Sequence, residues 1–125
     1  MKIYGLPPIP YPSFQKIYQV EDIANIPANT IPYFKDTRDC DLLIGGFAYS
    51  NQVSYAFIPN SIKSFLIYSN LGAKYALLEG DPTPYQNLAK EYLLDIEIFK
   101  IIQNPSEIER YALLGIDGVV FESIL

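Results

Sequence analysis

From residue 59 onward the chain alternates helix-start and helix-stop signals around short apolar runs, and this alternation constrains the fold more than any other feature. Pro59-Asn60-Ser61 offers an N-cap, with Asn60 or Ser61 in that role, and Gly72 stands where a helix would end. Ala73 to Glu79 reads as a short apolar strand. Asp81-Pro82 and Thr83-Pro84 are two further starts with Pro at the first helical position. Tyr85, Leu88, Ala89, Tyr92 and Leu93 then recur at i, i+3, i+4, i+7 and i+8, giving one apolar face. Ile96 to Ile102 is the next strand. Asn104-Pro105-Ser106-Glu107 gives an N-cap, a Pro at N1 and a Glu at N3, and Gly115 closes that helix before a last strand over Asp117-Gly118-Val119-Val120-Phe121. Strands spaced by helices of this length are the sequence form of a parallel sheet with crossover helices.

Before residue 59 the signals differ. Asp41 to Tyr49 reads as a buried strand and Val53 to Ile58 as its neighbour. The short Ser50-Asn51-Gln52 link predicts an antiparallel hairpin near residues 42 to 58, with Gly45-Gly46 as a bulge or a close approach. Six of the ten prolines fall within the first 32 residues, so residues 1–40 read as a proline-rich extended arm and irregular segment, with a helical turn at Val20 to Asn25 and a short strand at Thr30 to Lys35. The expected fold is therefore a single α/β domain. Its sheet is mixed and mostly parallel, of five or six strands, with helices packed on it as a sandwich rather than a barrel and residues 41–125 as the βα core.

Composition narrows function by exclusion. The chain has no histidine, which removes Ser-His-Asp and Cys-His pairs, imidazole-bound zinc and a His general base. Its single Cys40 lies between Asp39 and Asp41, which oppose thiolate formation. A net charge of −5 disfavours nucleic acid and anionic membrane surfaces. No run of apolar residues is long enough to span a membrane, and the first residues lack a signal-peptide pattern, so a cytoplasmic location is expected. No phosphate-binding glycine motif occurs, and no cofactor is expected.

Residues 99–110 followed by Leu114-Gly115-Ile116-Asp117-Gly118-Val119-Val120-Phe121 resemble the last βαβ unit of TIM-barrel proteins, the glycerophosphodiester phosphodiesterases above all. The resemblance covers about a fifth of the chain and implies a piece of barrel-like architecture. That family's chemistry rests on a His-Arg-Gly motif and a second histidine, which this chain lacks, so no catalytic residue carries over.

Ligands of parallel α/β sheets bind beyond the carboxyl ends of the strands. Here that border collects Glu79, Asp81 and Glu122 as candidate catalytic acids, with the chemistry to hold Mg²⁺ or Ca²⁺ or to serve as general acid and base. Asn60, Ser61, Gln103 and Asn104 join them as candidate ligand-binding groups. The structural alternative is that Asn60, Asp81 and Asn104 cap helices while Glu79 and Glu122 are solvated strand ends. Eleven tyrosines add a second feature: Tyr75, Tyr85, Tyr92 and Tyr111 fit core-facing or half-buried positions, and Tyr49 and Tyr55 fit exposed ones beside the hairpin turn. Exposed aromatics near a proline-rich arm point to a homo-oligomer or a protein partner. Two functions stay open: a non-enzymatic interaction or structural protein, and a carboxylate-dependent, phosphodiesterase-like or aldolase-like enzyme acting on a small phosphorylated ligand.

Overall fold

A computed structural model of the chain describes residues 1–36 and 42–125; Cys40 and its acidic neighbours lie outside the described residues. Seven strands form one sheet: β1 (Lys2–Tyr4), β2 (Ser13–Lys16), β3 (Thr30–Lys35), β4 (Ala56–Ile58), β5 (Tyr75–Leu78), β6 (Glu97–Ile102) and β7 (Gly118–Phe121). Four helices follow β3 to β6 in turn: α1 (Leu43–Ser50), α2 (Ile62–Asn70), α3 (Thr83–Glu91) and α4 (Ile108–Leu113). The strand order is β1-β7-β6-β5-β4-β3-β2, and every pair is parallel. Among the described residues no helix is long and apolar enough to cross a membrane.

The α/β class and the alternation after residue 59 hold, but three expectations need correction. Among the described residues the sheet has seven strands rather than five or six, and all of its pairs are parallel. Residues 42 to 58 are a helix followed by a parallel strand, not a hairpin. Segments expected to lie in a proline-rich arm supply β1 and β2 as well as the anticipated β3.

The misread segment has a physical cause. An apolar stretch of this length does not distinguish a buried strand from a buried helix, and Gly45-Gly46 lowers helix propensity. Packing overrides that propensity: a Cβ on Gly45 would stand 2.6 Å from Cε1 of the fully buried Tyr68 ring, so glycine is what lets α1 lie against α2. The end of α1 is equally hidden from sequence. Gln52 takes the left-handed position (φ 56°), and Val53 N–H donates to the Ala48 carbonyl at 2.9 Å, closing the helix without a glycine.

The sheet is curled rather than flat, so a layered sandwich is not what forms. β1 and β2 stand at opposite ends of the strand order, yet the rings of Tyr4 and Phe14 approach to 6.2 Å. Side-chain alternation sorts the strands' residues into two cores. Phe34, Phe57, Ala76, Ile98 and Val119 face outward and meet helix residues such as Phe65, Tyr68 and Ala89. Tyr4, Tyr33, Tyr75, Leu77, Phe99 and Val120 face inward and meet one another. The inner core is an aromatic cluster: Tyr75 packs on Phe99 at 5.2 Å and on Phe14 at 5.9 Å, and its hydroxyl pairs with that of Tyr4 at 3.1 Å. Among the tyrosines expected to be exposed, Tyr55 is instead fully buried, its hydroxyl donating to the Leu71 carbonyl at 2.9 Å, while Tyr49 is exposed.

Two predictions follow from the packing. Gly45→Ala should destabilise the fold, while Gly46→Ala, whose Cβ meets open space, should stabilise it by about 0.5–1 kcal/mol. Urea melts of the two variants check this, and equal effects would contradict the close approach of α1 to α2. Burial also pushes the Tyr75 phenol up to about 12 and raises those of Tyr55, Tyr33 and Tyr85. Stability is then whole below the ordinary phenol value of about 10 and falls as pH climbs from there. Tyr75→Phe should be about 1 kcal/mol less stable at neutral pH, because Tyr4 loses its partner, yet lose stability less steeply above about pH 10.

Candidate functional site

The inward side of the sheet continues past the aromatic cluster to its carboxyl border. Stepping two residues at a time, Tyr33 leads to Lys35, Leu77 to Glu79, Ile101 to Gln103 and Val120 to Glu122. The structure brings Glu79, Gln103 and Glu122 together round one open cleft of about 290 Å³, with Ile101 and Glu107. Gln103 Nε2 donates to Glu122 Oε2 at 2.7 Å, and Lys35 Nζ pairs with Glu79 Oε1 at 3.0 Å. Both pairs are solvent-exposed, so each contributes at most about 1 kcal/mol to stability.

The remaining sequence candidates do not join this group. Asp81 turns back along its own loop, its Oδ1 accepting from Thr83 N–H at 3.0 Å, and those Thr83 hydrogen bonds hold its carboxyl below the usual range. Ser61 caps α2: its hydroxyl accepts from Ser64 N–H at 3.1 Å. Ser64 in turn donates to the buried Asp36 at 2.5 Å, joining the end of β3 to the start of α2. Asn60 is exposed beside that cap. Asn104 precedes a 3-10 turn at Pro105–Glu107 that leads into α4. The Glu107 carboxylate accepts from the N–H groups of Gln103 and Asn104 at 2.9 and 3.1 Å, which depress its pKa as well. Among the described residues no group of three His, Cys, Asp or Glu is placed to hold a metal ion. The mouth thus carries three carboxylates: Glu79 paired with Lys35, Glu122 with Gln103, and Glu107 held by the N–H groups of Gln103 and Asn104.

Two residues that matter here, Lys35 and Lys100, were not found from sequence, while Glu107 stands at N3 of a capping box as expected and lines the mouth besides. Lys35 would have emerged from counting strand parity toward the same border. Lys100 gives no such signal, since a lysine inside an apolar strand reads as a chance polar position. Its side chain points outward from β6, and its ammonium donates to the carbonyls of Glu79 and Gly80 and lies 5.8 Å from the centroid of the Tyr111 ring. Burial lowers its pKa. Lys100 therefore fixes the turn after β5, the turn that carries Glu79.

The opposite end of the molecule holds a different surface. α3 stops at Glu91, so Tyr92 and Leu93 fall beyond the helix and leave its apolar face; Tyr92, expected to face the core, is 63% exposed. Leu93 is 87% exposed at φ 52°, with its N–H donating to the Lys90 carbonyl and Leu94 N–H to that of Ala89. A leucine in the left-handed region costs about 1 kcal/mol that glycine would not. Leu113 and Leu114 end α4 at 82% and 47% exposure. Lys90 Nζ donates to the Gly115 carbonyl at 3.2 Å, which ties the two helix ends side by side.

A scan against protein-family models finds no match, and a search of curated proteins finds none either.

The hydrogen bond by which Asp81 holds the turn into α3 can be separated from a role at the mouth. Asp81→Ala should lower the melting temperature by about 3–5 °C, whereas Glu79→Gln and Glu122→Gln should leave it nearly unchanged. Because the Asp81 and Glu107 carboxyls are depressed, their contribution is present above the ordinary value of about 4 and lost as pH falls below it. Asp81→Ala should therefore also flatten the acid limb of the stability curve.

Proposed function

We propose that this chain is a non-enzymatic interaction protein whose docking surface is the apolar end formed by Tyr92, Leu93, Leu113 and Leu114. The observation that carries this reading is Leu93, a large apolar side chain held in a strained backbone conformation and almost wholly in water. The hydrogen bonds that close α3 hold Leu93 in this conformation, and strain retained in a fold is commonly linked to function. Contiguous exposed apolar side chains mark protein contacts more often than ligand sites.

The test is the native size of the chain in extracts of the cells that make it. The wild type should run as a species larger than 14.2 kDa, and Leu93→Asp should not. Glu79→Gln and Asp81→Asn should leave that species intact. A wild-type chain running alone, or one whose complex depends on Glu79, would overturn the reading.

The second reading is the carboxylate-dependent enzyme, and the shared cleft of Glu79 and Glu122 favours it. The mouth sets Glu79, Glu107 and Glu122 against Lys35, a balance that repels a phosphorylated ligand unless a cation accompanies it. A thermal-shift screen with Mg²⁺ and small phosphorylated compounds tests it: a shift abolished by Glu79→Gln supports this reading, and a flat screen counts against it.

A further inference from the structure

The geometry points to a ligand site at the amino border of the sheet, one that takes a small hydroxylated molecule carrying an anionic group. This site stands apart from the mouth and does not depend on the interaction reading above. It starts from an open cleft of about 630 Å³, about twice the volume of the mouth and within the range of about 300–1,000 Å³ that small-ligand sites occupy. Stepping back two residues from the inward-facing Phe14, Ile31 and Ala56 leads to Pro12, Asn29 and Ser54. Pro12, Asn29 and, from the next strand's approach, Ser54 line this cleft, and the buried Ile31 lines it where it meets the inner core. The cleft is therefore the amino-end counterpart of the mouth, with the aromatic cluster between the two.

Its lining has the chemistry of a polyol site with one cation. Ser13, Asn29, Thr30 and Ser54 carry side chains that both donate and accept. None of the four makes a side-chain hydrogen bond among the described residues. Ligand hydroxyls also donate and accept, so they match such a set better than a group that only donates or only accepts. Tyr11, 39% exposed, adds a ring face and a phenol. Lys74 is the one charged residue among the described residues that line the cleft. Its ammonium lies 5.5 Å from the centroid of the Tyr75 ring, which places it at the base of the inner cluster. The acids nearby in the fold are engaged elsewhere. Glu97, opposite Tyr75 on β6, pairs with Lys2 at 2.9 Å, and Asp117 accepts from Ile98 N–H at 2.9 Å. Lys74 itself makes no ion pair among the described residues. On a chain of net charge −5, a cleft with a lysine and no lining carboxylate selects an anion, which the three carboxylates of the mouth repel.

An amide-resolved NMR titration of the isotope-labelled full chain tests this with glucuronate and glucose-6-phosphate, which share ring hydroxyls and differ in their anion. Binding should shift the amides of Thr30, Ile31, Ser54 and Lys74 and leave those of Gln103 and Glu122 in place. A response to one compound alone supports the site and assigns its anion as carboxylate or phosphate. Lys74→Met keeps the stem and removes the charge, so it should weaken binding about five-fold or more. Ser54→Ala should weaken it too, and both residues are exposed, so neither change should move the melting temperature. Glucose and inorganic phosphate, each half of the ligand, should both bind more weakly than glucose-6-phosphate. No shift at these amides with either compound, shifts confined to the mouth, or an affinity unchanged in Lys74→Met would overturn the inference. Inorganic phosphate binding as tightly as glucose-6-phosphate would overturn it as well, since the hydroxyls would then contribute nothing.

Discussion

The inner aromatic cluster decides the shape of this molecule. A closed parallel barrel of eight strands encloses an interior that ordinary side chains just fill. Here seven strands curl until the first and last in the sheet face each other, with no ladder between them. The space that a further strand would have shaped is taken up by large rings: Tyr4, Phe14, Tyr33, Tyr75 and Phe99 interlock with centroids 4.7 to 6.4 Å apart. Each such ring contributes about 1.5–3 kcal/mol on burial, and mixed edge-on and tilted contacts add to that. Within this cluster the hydroxyls of Tyr4 and Tyr75 satisfy each other. The curl also brings the carboxyl ends of β3, β5, β6 and β7 round a common axis, where Lys35, Glu79, Gln103 and Glu122 meet.

Legibility of the fold in the sequence tracked the chemistry of helix ends. The four helices α1 to α4 close with the same pattern, a left-handed residue followed by an N–H returning to the third-last helical carbonyl. Where that residue is glycine, at Gly72 and Gly115, the helix end was readable and the flanking strands fell where expected. Where it is Gln52 or Leu93, it was not. At Gln52 the loss was large, because the unmarked end together with Gly45-Gly46 made a helix look like half a hairpin. At Leu93 it was subtler: the helix was anticipated but extended two residues too far, and that error turned two exposed side chains into expected core.

The candidate site was legible where a polar residue directly follows the end of a strand. Glu79, Gln103 and Glu122 each stand there and share one cleft, whereas Lys35, the last residue of β3, required a count of strand parity as well. Asp81, Ser61 and Asn104 stand where the chain turns, and their polar atoms or backbone neighbours serve the turns, which is the ordinary role of such residues in βα units. What no pattern discloses is Lys100. Its ammonium reaches carbonyls on another loop, a contact set by tertiary packing and paid for by desolvation.

The helices run opposite to the strands, so the carboxyl ends of α3 and α4 lie at the far end of the sheet from the mouth. In this architecture the carboxyl border of the strands is where chemistry gathers, and the opposite end ordinarily serves stability. Strain and exposed leucines at that stabilising end oppose stability within one chain. Glycine at position 93 would close α3 more favourably, as Gly72 and Gly115 close α2 and α4, and polar residues at 113 and 114 would be better solvated. The contact proposed at this end would cover the side chains that this geometry leaves in water, Leu93 and Leu113 above all.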